Sequence, residues 1–197
     1  MIRIAVLASG GGTNLQALMD AENPFGRIEL VIGSRSGILA LDRARSAGIP
    51  TRVISSKKLG GEFAARMLET LAEFRTGLIV LAGYLTILPA EIINAYEGRV
   101  VNIHPALLPA FGGKGYYGLK VHEAALARGV KVTGATVHLV TEEPDGGPIL
   151  AQKAVAVLPG DTPEKLQARV MEQAEWELLP REVRKLCRNL EWSKWRA

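Results

Sequence analysis

Short runs of β-branched and other apolar residues alternate with amphipathic stretches through the first hundred residues of the chain. This alternation is typical of a mostly parallel, twisted sheet whose strands are connected by helices on both of its faces. The runs are almost continuously apolar, which indicates strands that are covered on both sides. The predicted strands span residues 2–7, 28–33, 51–54, 78–82 and 99–102. The pattern therefore predicts an α/β fold.

After residue 102 the sequence changes character, with prolines at 105 and 109, and a long loop with four glycines is predicted over 112–118. Further elements are predicted beyond it: a helix over 119–127 and strands over 131–140 and 149–157. The Pro-Asp-Gly sequence at 144–146 is typical of a turn, so these two strands are predicted to pair as antiparallel neighbours.

Two amphipathic stretches carry apolar residues at helical spacing, which indicates buried stripes. The stripe of the connecting helix consists of Phe63, Met67, Leu71 and Phe74. The last helix is predicted to open at 161–164, where a capping residue and a proline occupy the first turn. Its stripe consists of Leu166, Val170 and Leu178.

Composition bounds the class of protein. Of the 197 residues, 48% are hydrophobic and 22% are charged, so we expect one domain over 1–197. Lys and Arg outnumber Asp and Glu by 24 to 20, and this small excess does not indicate a nucleic-acid partner. The single cysteine, Cys187, excludes an intrachain disulfide and favours a cytoplasmic setting. No apolar run is long enough to span a membrane, and no metal is expected.

The first candidate site is the glycine loop, residues 9–14, which reads Ser-Gly-Gly-Gly-Thr-Asn between a predicted strand and a predicted helix. Glycines at a helix N-terminus expose backbone N–H groups, which together with the helix dipole favour a bound phosphate. The loop lacks the lysine of a Walker motif, and Leu15 stands where a dinucleotide fingerprint needs its third glycine. These residues alone are compatible with two interpretations, a phosphate subsite and a glycine turn that serves only packing.

The second candidate site is formed by Asn102 and His104 at the end of a predicted strand. Side chains alternate along a strand, so these two face one side and Ile103 faces the other. An asparagine N–H can stabilise a developing oxyanion, and an imidazole beside it can donate or move a proton. The alternative is that both residues cap the strand and bond loop carbonyls.

Three other polar residues carry weaker signals. His122 lies in a predicted helix and His138 alternates with apolar residues in a predicted strand, so both are interpreted as structural. Asp145 lies in the Pro-Asp-Gly turn, where an aspartate commonly bonds neighbouring backbone amides. From the residues alone, Asp145 is predicted to be a turn former.

Four segments together resemble the glycinamide ribonucleotide formyltransferases, a family of folate-dependent enzymes. They span residues 4–18, 81–88, 101–109 and 134–149, occur in the family's order and cover nearly the whole chain. Asn-Ile-His-Pro at 102–105 with Asp-Gly-Gly-Pro at 145–148 is specific to enzymes of formyl folate, and the glycine loop indicates this family among them. The resemblance implies a single-domain, Rossmann-like formyltransferase fold with an antiparallel strand in its C-terminal half.

The resemblance also implies a reaction and a catalytic trio. The donor would be 10-formyltetrahydrofolate, a cosubstrate, and the acceptor the amine of glycinamide ribonucleotide. Asn102 and His104 would donate hydrogen bonds to the formyl oxygen, while Asp145 would hold the imidazole and help to carry the proton. No metal is required.

Two binding subsites follow from the same resemblance. Residues 1–100 would form the half that binds the ribonucleotide phosphate, and residues 101–197 the catalytic and folate-binding half. The ribonucleotide would contact Gly12, Thr13, Asn14 and Glu175. The folate would contact Leu85, Thr86, Ile87, Leu88, Asn102, Thr141, Glu142, Glu143, Pro144 and Asp145.

The sequence departs from the family pattern in several places. Thr86 and Gly60 stand where arginines commonly support the folate, and Trp176 replaces a common histidine. The 112–118 loop is longer than in some members, and we expect it to close over the substrates with Lys114 near the phosphate.

Other functions stay open. A 10-formyltetrahydrofolate hydrolase would share the trio, but such enzymes carry an added N-terminal domain, whereas here the first strand starts at Ile2. A noncatalytic nucleotide-binding module would keep the sheet and the glycine loop without the trio. Methionyl-tRNA formyltransferase needs a C-terminal RNA-binding domain, which the length of this chain disfavours. Small molecules are the expected partners, and a monomer and a homodimer both stay open.

Overall fold

The computed structural model describes residues 1–193, which form one seven-stranded sheet with helices on both faces. The strands are β1 (Ile2–Ala8), β2 (Gly26–Gly33), β3 (Thr51–Val53), β4 (Leu78–Leu81), β5 (Val100–His104), β6 (Val132–Leu139) and β7 (Ile149–Ala156). They lie in the order β3-β2-β1-β4-β5-β6-β7. Strand β6 is antiparallel to both of its neighbours and all other pairs are parallel, so the predicted mixed sheet is confirmed.

The connecting elements are mostly helical. The helices are α1 (Thr13–Asp20), α2 (Leu39–Ser46), α3 (Ser56–Leu59), α4 (Phe63–Glu73), α5 (Ala90–Ala95), α6 (Leu119–Arg128), α7 (Pro163–Val170) and α8 (Trp176–Ser193). A 3₁₀ turn, Gly60–Glu62, precedes α4, and a π-helical segment, Met171–Glu175, connects α7 to α8. No helix within the described residues is long and apolar enough to cross a membrane.

Alternate residues of the central strands are buried on opposite faces of the sheet, as the period of a strand requires. In β1, Val6 packs into the core that includes side chains of α1, α2, α7 and α8, whereas Leu7 packs into a second core with α4 and α5. The stripe predicted for α4 is confirmed at Phe63, Met67 and Leu71, which are buried. Its last predicted member, Phe74, lies just beyond the end of the helix and is partly buried.

The last helix and its buried stripe are confirmed, and the structure adds a π-helical segment within it that the sequence did not predict. Its start is as predicted, because the side chain of Thr162 accepts a hydrogen bond from the backbone N–H of Lys165 at 3.3 Å. Four buried residues then follow at intervals of four: Leu166, Val170, Ala174 and Leu178. In an unbroken α-helix each such step drifts by about 40°, so the last of the four would leave the buried face. The extra residue of the π turn returns Leu178 to the buried face. A spacing of four residues is too close to the α-helical period of 3.6 for the sequence alone to reveal a π turn.

Candidate active site

A cavity of about 590 Å³ lies at the carboxyl ends of β1, β4 and β5, where open α/β sheets bind ligands. It is lined by the glycine loop, residues 81–88, residues 102–105, the 112–118 loop from Gly113 onward, the end of β6 with the loop after it, and residues of α7 and the π segment. All but one of the predicted site residues line this cavity. The exception is Glu143, whose carboxyl group packs back against Gly146, so the structure does not place it in the folate subsite.

Strand β5 brings Asn102 and His104 to the cavity, and it runs two residues further than predicted. Val101 and Ile103 are buried in the core on one face of the sheet. The strand alternation therefore puts Asn102 and His104 on the other side, as predicted. His104 is only 4% exposed, so its environment is set by protein atoms more than by water.

Asp145 faces two imidazole rings. Its Oδ2 lies 3.5 Å from Nδ1 of His104, and its Oδ1 lies 3.5 Å from Nε2 of His138. The backbone N–H of Gly113 also donates to Oδ2, at 2.9 Å. Asp145 has a φ of 58°, a left-handed conformation that few residues other than glycine adopt. The turn thus aims this carboxylate between the two histidines.

His138 belongs to the site, so its interpretation as only structural does not hold. Its Nδ1 lies 2.9 Å from the carbonyl of Leu139, which can only accept, so Nδ1 carries the ring proton. Its Nε2 then accepts a hydrogen bond from the amide of Asn102 at 3.0 Å, which leaves the second N–H of that amide for a ligand. The sequence signal was the cross-strand pairing of Asn102 with His138, which becomes visible only when the strand register is known.

The electrostatic state of the trio follows from its surroundings. Burial lowers the pKa of His104. The nearby Asp145 and the carbonyl of Phe111, which lies 2.8 Å from Nε2, raise this pKa by less, so it stays below its ordinary value. Burial raises the pKa of Asp145, but the contacts with His138, His104 and the Gly113 N–H together lower it by more, so the pKa lies below its usual value. At neutral pH the site therefore combines an ionised Asp145 with a neutral His104.

The glycine loop leads into a helix N-terminus without a side-chain cap, so first-turn N–H groups of α1 have no such acceptor. Gly12 has a φ of 74°, and a Cβ there would lie 2.7 Å from the Cα of Ala40. Only glycine fits this turn without displacing backbone. Open N–H groups and the helix dipole make this end of the cavity suited to an anion.

The π segment packs against the start of α1. The side-chain amide of Asn14 donates to Oε2 of Glu175 at 2.6 Å, and the hydroxyl of Thr13 lies 3.7 Å from the sulfur of Met171. Glu175 is 6% exposed, and burial raises the pKa of its carboxyl. The structure therefore brings together Thr13, Asn14 and Glu175, which the resemblance assigned to one substrate.

Cations are scarce in the cavity. Among its lining residues in the described part of the chain, Lys114 is the only lysine or arginine. Thr86 lines the cavity as a neutral side chain, and Gly60 has a φ of 52°, a conformation that favours glycine over arginine. Within residues 1–193, no group of three or more potential metal-ligating His, Cys, Asp or Glu side chains is present.

The buried ring of His122, on α6, is expected to make the stability of the fold depend on pH. Both of its ring nitrogens are buried without a hydrogen-bond partner among the described residues, and burial, with a smaller effect of His104, lowers the pKa of His122 to about 4. The unfolded chain protonates this histidine near its ordinary pKa of about 6.5. As the pH falls from 6.5 to 4, the unfolded state therefore binds a proton that the folded state excludes, and stability is lost. We expect His122 to lower the free energy of unfolding by about 3 kcal/mol over this range.

Urea denaturation at pH 7 and pH 4 measures this loss. His122→Leu removes the titrating group, so we expect the variant to lose clearly less stability on acidification than the original protein does. Equal losses for the two proteins would contradict the assignment.

Comparison with known proteins identifies the class. Residues 2–183 match the model of the formyl transferase family. Matching solved structures include glycinamide ribonucleotide transformylase 1 from Symbiobacterium toebii, with a TM-score of 0.89 and 40% identity over 96% of this chain and 89% of that one. The chain belongs to the formyl transferase family, and the fold expected from the resemblance is confirmed.

Two further similar proteins have names that state different activities. The chloroplastic phosphoribosylglycinamide formyltransferase of Vigna unguiculata is 40% identical over 98% of this chain, which spans 63% of that relative's length. A formyltetrahydrofolate deformylase from Pseudomonas syringae pv. tomato is 30% identical, with a TM-score of 0.84 over 95% of this chain and 62% of that one. Both transferring and hydrolysing enzymes therefore share this fold.

Proposed function

We propose that this chain is a phosphoribosylglycinamide formyltransferase, which transfers the formyl group of 10-formyltetrahydrofolate to the amine of glycinamide ribonucleotide in purine synthesis. One observation carries the proposal: a single cavity contains two features. The first is the set of Asn102, His104 and Asp145, and the second is an uncapped, glycine-rich helix N-terminus. The first set suits acyl transfer and the second suits a phosphate. The names of the similar proteins support the same substrates.

The reaction needs a developing negative charge to be stabilised and one proton to be moved. The substrate amine attacks the formyl carbon, a C–N bond forms, and the carbonyl electrons move to oxygen. Asn102 donates to that oxygen through its second N–H. His104 donates to it when its Nε2–H, which in the structure donates to the carbonyl of Phe111 at 2.8 Å, turns to the formyl oxygen. The carbonyl then re-forms as the bond to the folate nitrogen breaks. Asp145 holds the His104 ring and helps to carry the proton from the attacking amine to the departing nitrogen.

The substrates occupy two subsites in this proposal. The ribonucleotide phosphate lies on Gly12, Thr13 and Asn14 in residues 1–100, with Glu175 reaching this subsite from the C-terminal helices. The folate lies along Leu85, Thr86, Ile87 and Leu88 and against Thr141, Glu142, Pro144 and Asp145. Leu85 and Ile87 are 59% and 65% exposed, so an apolar surface is available to an aromatic ligand.

A hydrolase is the second candidate because the similar deformylase shares the fold. Hydrolysis would use the same trio with water in place of the amine. It would not need the phosphate subsite or Lys114, and these residues favour the transferase.

A spectrophotometric assay with 10-formyltetrahydrofolate decides between the candidates. We expect tetrahydrofolate to form only when glycinamide ribonucleotide is present. An equal rate without the ribonucleotide would make the protein a hydrolase, and no turnover with either acceptor would indicate a noncatalytic module.

Lys114 is expected to contact the ribonucleotide phosphate, because it is the only lysine or arginine among the described cavity-lining residues. Removing a charged hydrogen bond to phosphate costs about 1.5–3 kcal/mol, so Lys114→Ala should raise the KM for the ribonucleotide about tenfold or more. Steady-state kinetics with the ribonucleotide as the varied substrate measures this. Lys131→Ala, which changes an exposed lysine outside the cavity, is the matched control. An unchanged KM and kcat in Lys114→Ala would exclude the contact.

We further propose that the enzyme acts in the cytoplasm, which the lone cysteine supports. A homodimer is the proposed assembly to test, and sedimentation velocity at several protein concentrations distinguishes it from a monomer.

A further inference from the structure

Ser9 ties together the carboxyl ends of three neighbouring strands. It follows β1 directly, begins the glycine loop and is 8% exposed. Its backbone N–H donates to the carbonyl of Gly83 at 3.1 Å, and its Oγ accepts from the backbone N–H of Leu85 at 2.9 Å. The hydroxyl of Ser34, just after β2, donates to the same Oγ at 2.9 Å. One small side chain thus joins the residues that follow β1, β2 and β4.

The 83–88 loop depends on these bonds. Within the described part of the chain, Ser9 is the only residue whose hydrogen bonds tie the backbone of residues 83–88 to another element. Tyr84 and Leu88 anchor the loop by packing into the core beside α4 and α5. Leu85 and Ile87 are largely exposed, so packing holds this part of the loop weakly. The bond from Leu85 to Ser9 therefore fixes the part of the loop that faces the cavity.

We propose that Ser9 is a positioning residue that sets the place of the 83–88 loop relative to the glycine loop. This inference rests on the proposed function, in which one loop binds the formyl donor and the other binds the ribonucleotide. The amine and the formyl carbon must approach to about 3–3.5 Å for reaction. A hydroxyl at the start of one loop that holds the backbone of the other sets how closely the two substrates can approach.

The first experiment measures the loop without any substrate. Hydrogen exchange of the Leu85 amide, followed by NMR, is compared in Ser9→Ala and in Ser34→Ala. Ser34→Ala is the matched control because it removes a hydroxyl bonded to Ser9 that makes no bond to the 83–88 loop. We expect exchange at Leu85 to become about tenfold faster in Ser9→Ala and to change by less than about threefold in Ser34→Ala. An unchanged rate in Ser9→Ala would overturn the proposal.

The second experiment measures the substrates. We expect Ser9→Ala to raise the KM for 10-formyltetrahydrofolate about tenfold and to leave the KM for the ribonucleotide within about twofold. Ser9→Thr, which keeps a hydroxyl, should restore much of the lost donor affinity. A loss of folded protein alone would lower the rate without shifting one KM, so equal effects on both substrates would contradict the positioning role. If the original protein transfers no formyl group to the ribonucleotide, the proposed function fails, while the exchange experiment still tests the loop contact.

Discussion

Asp145→Asn is expected to lower kcat about a thousandfold, within the range that a positioned acid or base contributes. The amide cannot take up the proton that leaves the attacking amine. It also removes the negative charge that lies 3.5 Å from His104 and from His138. Because the N–H of Gly113 can still donate to the amide oxygen, we expect the turn to keep its shape. Single-turnover kinetics at saturating substrates measures the loss.

Asp42→Asn is the matched control for this variant. It makes the same chemical change on α2, where the carboxylate pairs with Arg45 at the surface, and we expect a kcat within about twofold of the original. If Asp145→Asn retained a kcat similar to that of the control, the aspartate would have no part in the proton transfer.

Asn102→Ala is expected to lower kcat by about a hundredfold to a thousandfold, as the loss of one oxyanion donor does in other acyl-transfer enzymes. The substitution removes the N–H that is left for the formyl oxygen and the N–H that bonds His138. The KM values should change much less, because the interaction strengthens only as charge develops in the transition state.

Steady-state kinetics with both substrates measures this effect. Asn189→Ala, on the exposed face of α8, provides the comparison, and its kcat should stay within about twofold of the original. If the kcat of Asn102→Ala stayed within about threefold of the kcat of Asn189→Ala, Asn102 would not be a donor to the oxyanion.

The sequence predicted the parts of this fold that depend on local periodicity. The apolar runs of β1 and β4 and the strand end with Asn102 and His104 follow from residue order alone. Asp145 did not, because a Pro-Asp-Gly turn has the same appearance whether or not its carboxylate faces a histidine. Only the resemblance to a family raised it above a turn former.

The remaining features depend on contacts between distant segments. His138 joins the site through its cross-strand position opposite Asn102. Glu143 leaves it because its side chain packs on Gly146. Ser9 reads as the first residue of a glycine turn, and its bond to Leu85 appears only once β4 lies beside β1. Neither register nor loop packing is encoded in a short stretch of sequence.

The π segment between α7 and α8 has a consequence for how this region can change in evolution. Substitutions at residues 171–175 keep the number of residues in the turn, whereas deleting one residue would restore an ordinary α-helix. Leu166 and Leu178 would then be 11 residues apart, which at about 100° per residue is about 20° beyond three full turns, so Leu178 would still face the core. The change would fall on the segment itself, which brings Met171 to Thr13 and Glu175 to Asn14. The core therefore accepts either length in this stretch, and a one-residue gap here in a relative would mark a rebuilt ribonucleotide subsite inside an unchanged fold.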